Sequence, residues 1–227
     1  TDIGTGTYTI LAQMVAEMLG LDHEKVTVEL GDSRHPRGPG SGGSWGAASI
    51  GSAAYLACEA IRKDLAKRAK VAEDALELRD GKVGGDRTLS HEGHFKPGKE
   101  QQKYTAAGFG AFFAQVRVNH FTGETRVDQM LGAFGFGRVL NQRTARSQCL
   151  GGLTWSIGTA LTEALEFDPR DGHLVNRDLA EYHVPVHRDV PDLDVLLIEE
   201  RDAIASPIEA KGIGELGMCG GAAAISN

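Results

Sequence analysis

Residues 211–221, KGIGELGMCGG, contain five glycines and a single acid, Glu215. No regular helix or strand keeps that much glycine, because each one weakens an element interior by roughly 0.5–1 kcal/mol relative to alanine. The stretch reads as a turn with a helix start just beyond it. Glycine also admits positive φ and lets a ligand approach the backbone, so Glu215 is expected to face a ligand cavity with no bulky neighbour in the way. N–H groups at the helix start could point at an anion. A carboxylate so placed suits a base. The plain alternative is a solvated turn residue.

The same letters match G-x-G-x-x-G, the dinucleotide fingerprint, over Gly212, Gly214 and Gly217. That motif follows a strand directly and carries an acid about 20 residues on. Here the nearest strand candidate, 195–199, lies well upstream with Pro207 between, and the sequence runs only to Asn227. Glu215 would also set negative charge beside a pyrophosphate. The dinucleotide reading is disfavoured.

Glycine is the outlier of the whole composition: 30 of 227 residues, about 13% and nearly twice the usual share, bunched in a few loops. The rest is ordinary for a globular protein, and the length allows one large domain or two small ones with ample core. A net charge of −7 argues against a nucleic-acid partner. Cys58, Cys149 and Cys219 show no C-x-x-C spacing, so neither a zinc nor an iron–sulfur site is indicated. Cys58 and Cys149 sit in helical patterns and read as core thiols. No membrane-length apolar run or leader is present, so membrane insertion is not expected and the compartment, cytoplasmic or periplasmic, stays open. A first residue that is not methionine suggests an internal piece of a longer protein.

Taken in order, the chain opens on the glycine turn Thr1-Asp-Ile-Gly-Thr-Gly-Thr and a helix over 8–19, with Ile10, Leu11, Met14, Val15 and Met18 as its buried stripe. Thr7 is its expected N-cap, and the turn a possible anion seat. A strand is expected over 25–30. Then sixteen residues, 31–46, hold six glycines and no regular period before a helix over 47–70. Structureless loops of that length are usually functional or disordered. Ser41, Gly42, Gly43 and Ser44 suit contacts to a phosphate or polar heterocycle, although no P-loop Lys-Ser or Lys-Thr follows. A flexible surface loop is the bland alternative.

Residues 80–108 read as a variable surface connection. A β-hairpin follows, with strands over 112–118 and 126–134 and His120 exposed at its turn. Next comes a long helix over 144–165, its buried face made by Leu150, Leu153, Ile157, Leu161 and Leu165. Gly151, Gly152 and Gly158 inside that helix call for something packed closely against it. Gln148 could donate a side-chain amide into a cleft, or be merely exposed. His183 and His187 could share a metal only on a helix, which Pro185 forbids. A last strand, 194–199, precedes the Glu215 stretch, and nothing splits the chain cleanly into two domains.

With Gly-Thr-Gly, the Gly-Ser-Gly-Gly-Ser loop and Lys-Gly-Ile-Gly-Glu in this order, nearly the whole chain resembles the second molybdenum-binding domain of xanthine dehydrogenase and aldehyde oxidoreductase large subunits. TDIGTGTYTI, GSGGSWGA, ARSQ and KGIGELGMCG are in the manner of bacterial periplasmic aldehyde oxidoreductases. The resemblance implies an α+β fold of layered sheets and packed helices, one molybdopterin-binding domain over 1–227. It implies that Glu215 is the catalytic base, taking the proton of a molybdenum-bound hydroxyl that attacks the substrate carbonyl carbon. It places cofactor contacts on Gly4, Thr5, Gly6, Ser41, Gly42, Gly43, Ser44, Gln148 and Gly214, with no side chain on the metal, which is held through the pterin. Many relatives have glutamine where this chain has Thr5, leaving that contact to the hydroxyl.

The implied cofactor is a molybdopterin-type molybdenum cofactor, the cytosine dinucleotide form included. Iron–sulfur clusters and FAD would lie on partner domains or subunits, and a preceding molybdenum-binding domain would complete the site. The substrate would be a small aldehyde or N-heterocycle. This piece alone is expected to hold little or no cofactor and to show no turnover. Two rivals remain: a nucleotide- or phosphosugar-binding module without redox chemistry, and a structural or interaction domain in which Glu215 is simply exposed.

Overall fold

Apolar residues at helical spacing near the start of the chain form α1, Thr7–Leu19, in the computed structural model, which describes residues 2–78 and 89–227. Leu11 and Ala16 are its buried apolar side chains, while Ile10, Met14, Val15 and Met18 are half-buried. Helix α1 packs on α2, Gly46–Ala69, which buries Cys58, Leu65 and Ala66. Leu76 closes the lower end of that core, and the Arg62 guanidinium donates to the Met18 carbonyl at 2.8 Å.

The expected strand over 25–30 does not form. Residues 26–30 alternate half-buried and exposed as a strand would, but no strand among the described residues pairs with them; the Leu30 carbonyl accepts from the Tyr8 hydroxyl at 3.2 Å. Period-2 patterning gives an extended chain; a strand also needs a partner. Of the expected connection over 80–108, residues 80–88 lie outside the described ones. Residues 89–94 lie on α2, where a Cβ on Gly93 would come within 1.8 Å of the Ala53 carbonyl oxygen and His91 Nε2 sits 2.9 Å from the Asp64 carboxylate.

The hairpin is present, with β1 over Phe109–Val118 and β2 over Thr125–Gly135, antiparallel, and a bulge between Gln115 and Val116. Strand β3, Asp192–Ile198, pairs with the other edge of β2 in parallel, giving a mixed sheet in the order β1-β2-β3. Parallel pairing needs a long crossover, and α3, Gln142–Leu161, supplies it. It packs on β2 and β3, while the short α4, Gly221–Ser226, packs on β1. The face they cover holds Met130, Phe134 and Val195, all nearly inaccessible. The expected α+β class stands, with one three-stranded sheet among the described residues.

Helix α3 starts two residues earlier and ends four residues earlier than the pattern suggested. The amides of Thr162 and Glu163 both bond to the Gly158 carbonyl and end the helix. Its buried face is Ala145, Cys149, Leu153, Ser156 and Ile157; Leu161 and Leu165 are exposed. The expected stripe holds at Leu153 and Ile157, with Leu150 half-buried, and fails at Leu161 and Leu165; the small residues Ala145, Cys149 and Ser156 complete the buried face instead.

By internal packing the chain forms two units. The first draws on Thr1–Ala107, Gly137–Asn141 and Glu200–Gly212, the second on Gly108–Phe136, Gln142–Glu199 and Ile213–Asn227. The chain alternates between them, so no single cut separates them, and no linker composition could have marked a boundary.

Candidate functional site

In the second unit the Glu215 turn is built from backbone contact. Glu215 precedes a single 3-10 turn over Leu216–Met218, and its own carbonyl accepts from the Met218 amide at 3.3 Å and the Cys219 thiol at 3.2 Å. Gly217 is pressed against α3: a Cβ there would meet the Cys149 carbonyl oxygen at 2.8 Å. A Cβ on Gly152 would in turn meet the Gly217 carbonyl carbon at 2.5 Å. Gly152 therefore interrupts α3 because the Glu215 turn lies on it. Gly220 and Gly221 make room in the same way for the Phe112 ring and the Ser156 hydroxyl. None of the five glycines of this stretch has a positive φ. Positive φ, which glycine admits, is not used here: Gly212, Gly217, Gly220 and Gly221 serve close packing.

Gln148, on the first turns of α3, donates its side-chain amide to the Gly214 carbonyl at 2.7 Å. It is the one expected site residue of this unit that touches the loop next to Glu215. The Glu215 carboxylate itself is exposed, and among the described residues it accepts no hydrogen bond and forms no ion pair. Backbone fixed, side chain free: that is a carboxylate able to take a proton from a bound reactant. A shallow depression between β1 and α4, lined by Phe112, Gly220, Ala223, Ala224 and Asn227, includes neither Glu215 nor Gln148.

In the first unit the Gly4-Thr5-Gly6 turn differs from expectation. The N-cap of α1 is Gly6, with φ 88°, and Thr7 is buried inside the first turn. The anion seat is already filled by the chain: the Asp2 carboxylate accepts from the amides of Gly4 (2.8 Å), Thr5 (3.0 Å) and Thr7 (3.1 Å). Burial alone would raise the Asp2 pKa, but these amides outweigh it and hold it below the usual carboxylate range. The Gly6 carbonyl accepts from the Ile10 amide at 3.1 Å, so what the turn leaves for a ligand is the Gly4 carbonyl and the hydroxyl of the exposed Thr5. Asp2 is the residue that sequence reading missed, though an acid two positions before a glycine in a pre-helical turn is a recognisable amide acceptor.

The loop carrying Ser41, Gly42, Gly43 and Ser44 is closed by Trp45, whose indole N–H donates to the Gly40 carbonyl at 2.9 Å. Gly43 and Ser44 have positive φ; Gly42 does not, and a Cβ on Gly42 would meet nothing within 4 Å. Neither backbone geometry nor a protein neighbour requires glycine there. Ser44 packs on Gly212, whose Cβ would come within 2.6 Å of the Ser44 side chain, so this loop meets the segment that leads to Glu215. No hydrogen bond among the described residues joins the Gly4–Gly6 turn to it. His183 bonds through Nε2 to the Ala180 carbonyl, and among the described residues no group of three or more His, Cys, Asp or Glu side chains could hold a metal. No helix among the described residues is long and apolar enough to cross a membrane.

The chain is similar to known proteins in sequence and fold. The chain is 44% identical, over its whole length, to the aldehyde oxidoreductase molybdenum-binding subunit PaoC of Escherichia coli (strain K12), of which it covers 33%. It is 30% identical over 93% of its length to the carbon monoxide dehydrogenase large chain of Hydrogenophaga pseudoflava, covering 29% of that protein. Quinoline 2-oxidoreductase from Pseudomonas putida 86 matches 99% of the chain with 32% of its own, at a TM-score of 0.83 and 24% identity, which is a likeness of fold. The chain thus spans about a third of the length of the relatives it matches. Residues 1–191 match the molybdopterin cofactor-binding domain, and the chain belongs to that family.

Proposed function

We propose that this chain supplies the catalytic base and part of the cofactor seat of a molybdenum hydroxylase that oxidises aldehydes or N-heterocycles with oxygen from water. The observation that carries the reading is Glu215: a carboxylate without a partner, on a turn fixed to α3 by Gln148 and by the Gly152–Gly217 contact. Exposure of Glu215 is also what the structural reading expected, so the rigid backbone beneath it is the discriminating feature.

The residues fit the cofactor. Gly42 leaves open space where a Cβ would stand, in a loop that also carries the exposed Ser41 and, two residues on, Ser44. Ser41, Gly42, Gly43 and Ser44 would hold the pterin or its phosphate, with the Thr5 hydroxyl and the Gly4 carbonyl presented to ligand donors; Gly6 serves the turn itself, its carbonyl taken by the Ile10 amide at 3.1 Å. The Asp2 carboxylate, bonded to three amides of that turn, disfavours an anion there and so weakens the phosphosugar alternative. When bound, the molybdenum cofactor supplies oxygen transfer from water and accepts the two electrons released. Glu215 takes the proton that this transfer sets free, at either carboxylate oxygen, and Gln148 keeps the turn in place meanwhile. A preceding molybdenum-binding domain, iron–sulfur subunits and an FAD subunit would complete the enzyme and carry electrons away.

Glu215→Gln in the full-length protein tests the reading. Removal of a general base should lower turnover by about 10²–10⁴ with molybdenum and pterin retained. Near-normal oxidation of aldehydes would refute the base role.

A further inference from the structure

Lys211 opens the glycine stretch four residues before Glu215, and in the first unit it is held unusually firmly for a lysine. Its side chain is 10% exposed, with Nζ 2.5 Å from Glu200 Oε1 and 3.4 Å from Asp202 Oδ2. Glu200 Oε1 also accepts from the Gly137 amide at 2.7 Å. Asp202 accepts from the amides of Ile204 (3.1 Å) and Ala205 (3.0 Å). A lysine this buried is tolerated only when paired. Burial alone would lower its pKa; Glu200 and Asp202 outweigh that and raise it, so the ammonium persists at neutral pH.

The backbone around it is equally constrained. Gly137 and Ala210 form a bridge, the Arg138 amide donates to the Glu209 carbonyl at 2.8 Å, and Glu209 stands at φ 61°. The buried Ser206 hydroxyl donates to the Ala210 carbonyl at 2.8 Å and accepts from its amide at 3.1 Å. A non-glycine residue in left-handed backbone persists only where its surroundings over-determine it. A mere connection between strand β3 and α4 would need none of this.

We propose that Lys211 is a positioning residue for Glu215: its ion pairs with Glu200 and Asp202 fix the point from which the chain departs toward the catalytic carboxylate. The assignment rests on Glu215 being the base. A misplacement of about 1 Å at a reacting group can lower a rate by about 10²-fold, so a loosened anchor reaches the chemistry without touching it.

The test uses the full-length enzyme with its partners, in Lys211→Met, Lys211→Arg and Glu200→Gln forms. Lys211→Met should lower kcat for aldehyde oxidation about 10–100-fold, with KM and molybdenum content unchanged, and Lys211→Arg should restore most of it. Glu200→Gln, which leaves Lys211 paired with Asp202, should give the same kcat-only loss at smaller size and serves if Lys211→Met does not fold. The deciding measurement is the single-turnover rate of Lys211→Met in a Glu215→Gln background. Little further loss there shows that Lys211 acts through Glu215. An equal loss in both backgrounds, or molybdenum lost in step with activity in Lys211→Met or Glu200→Gln, overturns the proposal. Near-normal activity of Glu215→Gln alone sinks the base reading instead, a distinct outcome.

Discussion

The side-chain amide of Gln148 donates to the carbonyl of Gly214 across 2.7 Å, so a residue of α3 holds the peptide immediately before Glu215. One of its two amide N–H groups is therefore engaged by the protein. Resemblance alone placed Gln148 among cofactor contacts; the structure supports a role in placing the Glu215 turn.

Substitution separates the two roles. A hydrogen bond of this kind contributes about 1 kcal/mol net, so Gln148→Ala should lower kcat by about fivefold with the cofactor content intact. Gln148→Glu should do worse, because it sets a carboxylate against the Gly214 carbonyl with no donor between. Loss of molybdenum in either variant, measured per protein chain, would return Gln148 to the cofactor.

Two glycines should respond in opposite ways. Gly217→Ala drives a methyl against the α3 backbone at Cys149, which cannot retreat, and should destabilise the protein by about 1–3 kcal/mol as other overpacked sites do. Gly42→Ala has open space and ordinary φ, so its melting temperature should match the wild type. If the loop carries the cofactor, the same variant should lose molybdenum and pterin. Wild-type cofactor content in Gly42→Ala would argue against that seat.

The thiols offer a check on the packing beneath the turn. Burial pushes the Cys149 thiol up to about 11 and raises that of Cys58, and both are almost inaccessible. At pH 8 only about one Cys149 in a thousand is thiolate. Iodoacetamide should label the exposed Cys219 in the native protein and reach Cys58 and Cys149 only in denaturant. Native labelling of Cys149, read by peptide mass spectrometry, would contradict the Gly217–Cys149 contact.

Much of this was legible in residue patterns, and the exceptions have physical causes. Helices α1 and α2 and the β1–β2 hairpin follow from local periodicity and turn residues, which act over a few positions. The parallel pairing of β2 with β3 joins residues some sixty positions apart, Met130 and Leu193 among them, and nothing local encodes that. Residues 26–30 show the converse, correct alternation without a partner. At the site, Glu215 stood out because glycine around a lone acid is unusual. The reason for the glycines did not, since Gly217 is small on account of Cys149 and Gly152, which are distant in sequence. Asp2 and the Lys211–Glu200 pair escaped notice because a charged residue in a polar segment reads as solvated until its partner is seen.

Asp2 gives a pH dependence whose sign can be fixed in advance. Its folded pKa is lowered because the amides of Gly4, Thr5, Tyr8 and Thr7 outweigh the opposing effect of burial. A depressed carboxylate stabilises the fold fully above its ordinary pKa, about 3.9, and the contribution disappears as pH falls through the lower folded value. Asp2→Asn keeps the shape and one acceptor oxygen but loses the charge. The variant should therefore melt below the wild type at pH 6–7, and the difference should shrink as the pH is taken below about 4. Thermal unfolding of both proteins across that range tests it. A difference that stays constant down to the acid limit would mean that the carboxylate charge does not hold the Gly4-Thr5-Gly6 turn.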